Sequence, residues 1–260
     1  MPGQIRIERQ GPRADLLFDH PERRNAITSD MWRALTAAAR ELDADPGVRV
    51  VVLRGAGEVA FVSGADISQF EEQRAGQSAF AYNAKNDESF DALAAIGKPV
   101  IALIHGFCIG GGCAIALTAD LRFCAEDAVF AIPAARLGLG YAASGLAVLE
   151  RVVGLPKAKE LFMTARRFDA REACQMGLVN QVLPKASLDA FVREQVDRIA
   201  ENAPLTLRAA KQAFLDRGRP ESAREPEQVQ AAIRACFESN DYAEGVRAFL
   251  EKRRPAFQGR

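Results

Sequence analysis

The chain carries no excess of either charge: 34 Lys and Arg balance 34 Asp and Glu over 260 residues. A nucleic-acid partner, which draws on a basic excess, is therefore not expected. Long apolar runs are missing as well. The most apolar stretch, 99–118, is broken by His105 and four glycines. It reads as strand, turn and helix, so no membrane span is expected. The first residues, Met1-Pro2-Gly3-Gln4, lack the basic-then-apolar pattern of a signal peptide. The five cysteines, at positions 108, 113, 124, 174 and 236, form no CxxC pair. An odd number with apolar neighbours fits buried thiols in a reducing cytoplasm, not a disulfide framework. There are two histidines, His20 and His105, far apart and with no carboxylate cluster to complete a site, so no metal is expected. Low-complexity segments and fixed-period repeats are absent by inspection. Disorder is excluded by a hydrophobic content of 48%, enough apolar material to offset chain entropy.

What is present alternates between two periodicities. Residues 5–9 and 16–19 read as a short hairpin. Over 29–42, Met31, Trp32, Leu35, Ala38, Ala39 and Leu42 recur at helical spacing, with Thr28 or Ser29 as cap. Residues 48–54 (VRVVVLR) and 99–104 (PVIALI) are continuous apolar runs, as expected of strands buried on both faces. Residues 121–125 and 129–132 add two more strands. Helical patterns cover 78–96, 112–118 and 144–153, the last with Ser144 as its cap. This order predicts an α/β fold with a covered sheet. Beyond Pro184 four helical segments follow one another (188–201, 205–216, 227–239 and 242–252). The expected organisation is thus a core over 1–184 and a helical region over 185–260.

Two loops carry the chemical signal. Phe61-Val62-Ser63-Gly64-Ala65-Asp66-Ile67 is a small-residue loop that follows a buried strand and runs into a helix, so it presents unpaired N–H groups. The same segment equally reads as a plain turn with Asp66 as cap. His105 to Cys113 places three consecutive glycines, Gly110-Gly111-Gly112, at a helix start. Its spacing is neither GxGxxG nor a Walker loop. Taken alone it reads as well as a packing turn. Together the two loops could aim two amides at one carbonyl oxygen.

These blocks, with Asn25-Ala26-Ile27, Lys98-Pro99-Val100-Ile101-Ala102, Asp120, 170–173, 176–180 and the terminal 249–257, resemble the enoyl-CoA hydratase/isomerase (crotonase) family in order and separation over nearly the whole chain. The resemblance implies a spiral of ββα units with a helical C-terminal trimerisation region, assembling as a homotrimer or hexamer. It implies an acyl-CoA substrate, and since coenzyme A is part of that substrate, no separate cofactor. It implies that the Ala65 and Gly111 amides hold the thioester oxygen. Arg24, Ala26, Ser63, Gly64, Asp66, Ile67, Gly110 and Phe257 would line the substrate, and the acyl pocket would be walled by residues around 68–95.

Hydratases of this family use two glutamates, and the sequence departs from them at both positions. Ala114 stands three residues after the middle glycine, and Ala134 follows Phe130-Ala131-Ile132-Pro133. Alanine can neither activate water nor protonate a carbon. The chain thus resembles an enoyl-CoA hydratase whose acids are gone. Tyr141, in a segment similar to that of decarboxylases of the family, is the candidate for decarboxylation of a malonyl-type CoA or for isomerisation. A packing role for its ring is the alternative. A non-catalytic acyl-CoA-binding relative is the reading outside enzymes. Asp87 and Glu88 could reach the acyl pocket but read as solvated charges, and Arg136 reads as a salt-bridge partner. The apolar stripes of the tail (Leu188, Phe191, Ile199, Phe214, Ile233, Phe237, Phe249) call for partners, which a trimer would supply.

Overall fold

In the computed structural model, which describes residues 2–69 and 78–260, the expected hairpin is β1 (Gln4–Gln10) with β2 (Arg13–Asp19), paired antiparallel. Helix α1 (Ser29–Ala44) follows, and of its two candidate caps Thr28 does the work, accepting from the Met31 N–H at 3.3 Å. The chain then repeats one unit. A strand enters a large sheet, a short strand enters a small sheet, and a helix returns. The units are β3 (Val50–Gly55), β4 (Ala60–Val62) and α2 (Ser78–Ala94); β5 (Val100–Ile104), β6 (Phe107–Ile109) and α3 (Gly111–Thr118); and β7 (Leu121–Ala125), β8 (Val129–Ala131) and α4 (Ala143–Val153). The large sheet is ordered β1-β2-β3-β5-β7-β10, parallel from β2 onward, with β10 at Gln181–Leu183. The small sheet is β4-β6-β8-β9, with β9 (Phe168–Asp169) antiparallel at its edge. Consecutive units therefore stack side by side, which is the spiral of ββα units.

The continuous apolar runs are explained by two cores, one on each face of the large sheet. Val51, Leu53, Val100, Ala102 and Ile104 join α1 in one core, while Val50, Val52, Ile101 and Leu103 face the other. The second face is covered by Leu188, Val192 and Val196 of α7 (Lys185–Ala200), one residue per helical turn. Helices α5 (Leu155–Thr164) and α6 (Ala170–Gln175) precede β10. Helices α8 (Pro204–Arg217), α9 (Pro226–Phe237) and α10 (Asn240–Leu250) follow α7. The short strands β4 and β6 lie inside segments that the sequence presents as loops, because three residues carry no readable period.

Two expectations need correction. Ser144 does not cap α4: the cap position is Ala142, which has no side-chain bond to offer. In the tail, Leu188 is fully buried and Phe191 and Ile199 pack against the second core, so these three find partners within the chain. Phe214 and Phe249 stay 79% and 83% exposed, and Phe237, 63% exposed, only stacks edge-on to Tyr242 at 5.4 Å.

Neighbouring units press so closely that backbone meets backbone. Gly106 O accepts from the Val129 N–H at 2.9 Å across one corner of the stack. At the start of α3, a Cβ on Gly112 would collide with the Val62 carbonyl of β4. Gly112→Ala should therefore lower stability by about 1–3 kcal/mol or more, as overpacking does, and thermal unfolding will show it as a drop of several degrees.

Candidate active site

The first loop is held by a polar side chain placed where none is usual. Arg24 and Asn25 both take the left-handed backbone conformation, φ 52° and 58°. Asn25 is buried, accepts the His20 N–H at 3.0 Å and donates Nδ2 to the Ala60 and Ala56 carbonyls at 2.8 and 3.1 Å. The His20 ring bonds the Ala26 carbonyl at 3.0 Å. The segment thus fixed lies alongside the 63–66 loop. Ser63 N donates to Arg24 O (3.1 Å), Ile27 N to Gly64 O (2.8 Å) and Asp66 N to Ile27 O (2.9 Å). The last two bonds are a parallel bridge between Ile27 and Ala65. In such a bridge the residue between the two bonds turns its own N–H to the opposite side. For Ala65 that side is the glycine turn.

Gly64, at φ +106°, permits this reversal, and its backbone lies against the second loop. A Cβ there would sit 3.3 Å from Ile109 O and 4.0 Å from Gly111 N. Conversely, a Cβ on Gly111 would sit 3.8 Å from Ala65 N. Gly111 is the first residue of α3, where N–H groups have no intrahelical acceptor. Among the described residues neither the Ala65 nor the Gly111 N–H has a protein acceptor. Gly110 is tied down separately, its N–H donating to Ala131 O at 2.8 Å. Two unpaired amides thus lie side by side at the dipole-positive end of a helix.

The positions of the two missing acids border this turn. Ala114 N donates to Gly110 O at 3.2 Å, and Pro133, next to Ala134, lies 3.9 Å from where Gly110 would carry a Cβ. Ala134 is buried in the short helix Pro133–Leu137. Tyr141 is half-buried and stacks edge-on to Phe162 at 5.3 Å, with Gly145 leaving room for its ring. Asp66 accepts from the Ser68 N–H and hydroxyl at 3.0 and 2.8 Å, so it caps the turn Ile67–Gln69, and Ile67 is exposed. Ser63 Oγ donates to Arg23 O at 3.1 Å. Arg24 is exposed, with its guanidinium 4.6 Å above the Phe107 ring. Thus Arg24, Ala26, Ser63, Gly64, Ala65, Asp66, Gly110 and Gly111 come together. Phe257 does not join them within one chain. Arg49, just before β3, donates to its carbonyl, and its ring lies 3.4 Å from where Gly245 would carry a Cβ. That is the end of β3 opposite to the one leading into the loops. Of the segment around 68–95, residues 70–77 lie outside the described residues.

Other titratable groups have structural employment. His105 bonds Asp189 at 3.0 Å, and this bond draws the Asp189 carboxyl below its usual range. Burial pushes the Cys108 thiol well up and Cys124 up to about 12, so neither supplies a thiolate. Burial, with Asp91 nearby, raises Asp87. Arg136 is exposed and makes no ion pair among the described residues. No group of three or more His, Cys, Asp or Glu side chains among them could hold a metal, and no helix among them is long and apolar enough to cross a membrane. The sequence reading missed Trp32 as a site residue. It belongs to the apolar stripe of α1, yet its indole lies 3.7 Å from the Cβ position of Gly111 and donates to Tyr82 Oη at 3.1 Å.

The chain is similar to known proteins over nearly its whole length. The family model for enoyl-CoA hydratase/isomerase matches residues 11–260. The short-chain-enoyl-CoA hydratase of Clostridium acetobutylicum is 34% identical over 95% of both chains. The carnitinyl-CoA dehydratase of Salmonella typhi is 33% identical over the full length of both. Among solved structures, an enoyl-CoA hydratase/carnithine racemase from Magnetospirillum magneticum superposes with a TM-score of 0.92 at 36% identity, covering 98% of this chain and 96% of the other.

The geometry makes Asn25 the part whose loss is felt most. Asn25→Ala strands one buried N–H and two carbonyls and removes a residue tolerant of positive φ. A loss of about 2–4 kcal/mol is expected, measurable as a lower midpoint in urea unfolding.

Proposed function

Because the chain belongs to the enoyl-CoA hydratase/isomerase family, we propose that it binds an acyl-CoA thioester and stabilises the thioester enolate with the N–H groups of Ala65 and Gly111. One observation carries this reading: two adjacent amides without acceptors, each positioned by a network that has no other evident purpose. A thioester carbonyl gains negative charge on oxygen when its α-carbon loses a group as a cation equivalent or a neighbouring carbon is attacked. Preorganised donors hold that charge, typically by about 3 kcal/mol each. Backbone N–H groups do not titrate, so the hole works at any pH at which the fold survives.

The methyl groups of Ala114 and Ala134 narrow the chemistry. Hydration needs one group to take a proton from water and one to deliver a proton to the α-carbon, and each typically contributes about 10²–10⁴-fold. With both gone, hydration of a simple enoyl-CoA should be slow. Decarboxylation needs neither acid. The bond to the carboxylate breaks, its electron pair enters the thioester as the enolate, and CO₂ departs. Tyr141 favours this second reading: its ring is fixed against Phe162 on the segment that follows Ala134. Its hydroxyl would orient the carboxylate or, in an isomerisation, a proton. We extend the reading to assembly as a trimer or a dimer of trimers, which would cover the exposed Phe214, Phe237 and Phe249.

Three measurements test these statements. Crotonyl-CoA hydration should be at least about 10²-fold below an ordinary turnover of roughly 10 s⁻¹, and Ala114→Glu with Ala134→Glu should raise it. Ordinary turnover by the unmodified protein would defeat the assignment. Release of CO₂, free thiol and enoyl absorbance across a panel of acyl-CoAs separates the reactions, and Tyr141→Phe then removes the hydroxyl alone. Sedimentation should give a multiple of 28.2 kDa; a single-chain mass at micromolar concentration would rule out the trimer.

A further inference from the structure

Three consecutive glycines, Gly110-Gly111-Gly112, carry no side chain to lock them, so the turn that bears the Gly111 amide must be held from outside. Two of them have a main-chain stop. Gly110 donates its N–H to Ala131 O at 2.8 Å. Gly112 packs on the Val62 carbonyl, with no room for a Cβ between them. Gly111, whose N–H has no acceptor among the described residues, has no stop of this kind. Around the point where it would carry a Cβ, the two nearest side-chain atoms are Cζ2 and Cη2 of Trp32, at 3.7 and 3.8 Å. The third near atom is Ala65 N, at 3.8 Å. The six-membered ring of the indole thus stands against the place where the two unpaired amides meet.

Trp32 is itself held at a fixed angle. Its indole N–H donates to Tyr82 Oη at 3.1 Å, and the Phe90 ring stacks edge-on to it at 5.4 Å. Its carbonyl accepts from Ser89 Oγ at 2.9 Å. All three partners lie on α2 (Ser78–Ala94). Trp32 and Tyr82 are both buried. A buried hydrogen bond adds little net stability over a well-packed apolar pair, so what this one contributes is direction. Nε1 and Cζ2 are bonded to the same ring atom, Cε2. Fixing the N–H on Tyr82 therefore fixes the ring edge at Gly111. We propose that Trp32 is a positioning residue for the Gly111 amide, aimed by Tyr82. This rests on the reading of the Ala65 and Gly111 amides as thioester donors. Such donors act within about 2.7–3.1 Å of the oxyanion, and a misplacement of about 1 Å can cost roughly 10²-fold. The charge that develops on the enolate oxygen gains most from that precision. The neutral carbonyl of the ground state gains far less.

Trp32 should therefore matter to the enolate and not to the ground state, a split that a packing role would not produce. Acetoacetyl-CoA is the probe. Its acidic α-carbon loses a proton to solvent, the electron pair spreads onto the thioester oxygen, and the enolate absorbs in the near ultraviolet. On the unmodified protein the pH midpoint of that band should lie below its value in free acetoacetyl-CoA. In Trp32→Phe, whose shorter ring stops before Gly111, the midpoint should move back up by about one pH unit, a tenfold loss of enolate preference. Calorimetric binding of butyryl-CoA should change by less than about twofold. An unchanged midpoint, or a loss of butyryl-CoA affinity as large as the loss of enolate preference, would overturn the role of Trp32 and leave the thioester site standing. Should Trp32→Phe fail to fold, Tyr82→Phe, which keeps the indole and frees its angle, decides in the same terms. If the unmodified protein binds neither ester, or binds acetoacetyl-CoA without lowering the midpoint, the amides are not thioester donors, and the positioning role falls with them.

Discussion

Everything at the site depends on one short piece of parallel pairing, the bridge between Ile27 and Ala65. It decides which way the Ala65 peptide faces. Two bonds, from Ile27 N to Gly64 O and from Asp66 N to Ile27 O, occupy one side of the loop and leave the Ala65 N–H directed to the other. The bridge in turn depends on a segment held in the left-handed region by the buried side chain of Asn25. Remove that support and the 63–66 loop has no template for its orientation. The amide would then be free to donate to a carbonyl elsewhere.

The other half of the arrangement comes from stacking. Each ββα unit sets its short strand beside that of the preceding unit, so β4 and β6 bring the ends of two distant chain segments to the same place. Gly112 lets α3 start directly against β4, and Gly110 is anchored to β8 by Ala131. The two amides therefore meet because two successive units meet. The spiral is the cause of the site, and the helix dipole adds to it.

Much of this was legible in the sequence. The buried strands 50–55 and 100–104 announce themselves by unbroken apolar runs, and α1 by its three-and-four spacing, because long periodic segments average out local ambiguity. The two loops were legible as small-residue turns, and their resemblance adds the proposal that they donate amides. Asn25 was quoted in a motif without its reason, since positive φ and a triple hydrogen bond leave no periodic mark. Trp32 hid in plain view as a core residue. Phe257 reads near the substrate, yet within one chain it docks beside Arg49; tertiary contacts between sequence-remote residues have no local signature.

The proposed donors are main-chain groups, and this has a consequence for how such a protein can change. Any residue but proline at position 65 still offers an N–H. Drift at the point of chemistry would be silent, provided the side chain fits. Asn25 never approaches the oxygen, yet few replacements could reproduce its work, because the function it protects is a peptide's orientation. The walls proposed to meet the acyl chain, by contrast, are ordinary side chains on α2 and around Ala114 and Ala134, each open to exchange without disturbing the bridge or the stack. Such a molecule keeps its least replaceable information away from the reacting atoms and its most replaceable information next to them. New reactions can thus be tried on it one side chain at a time.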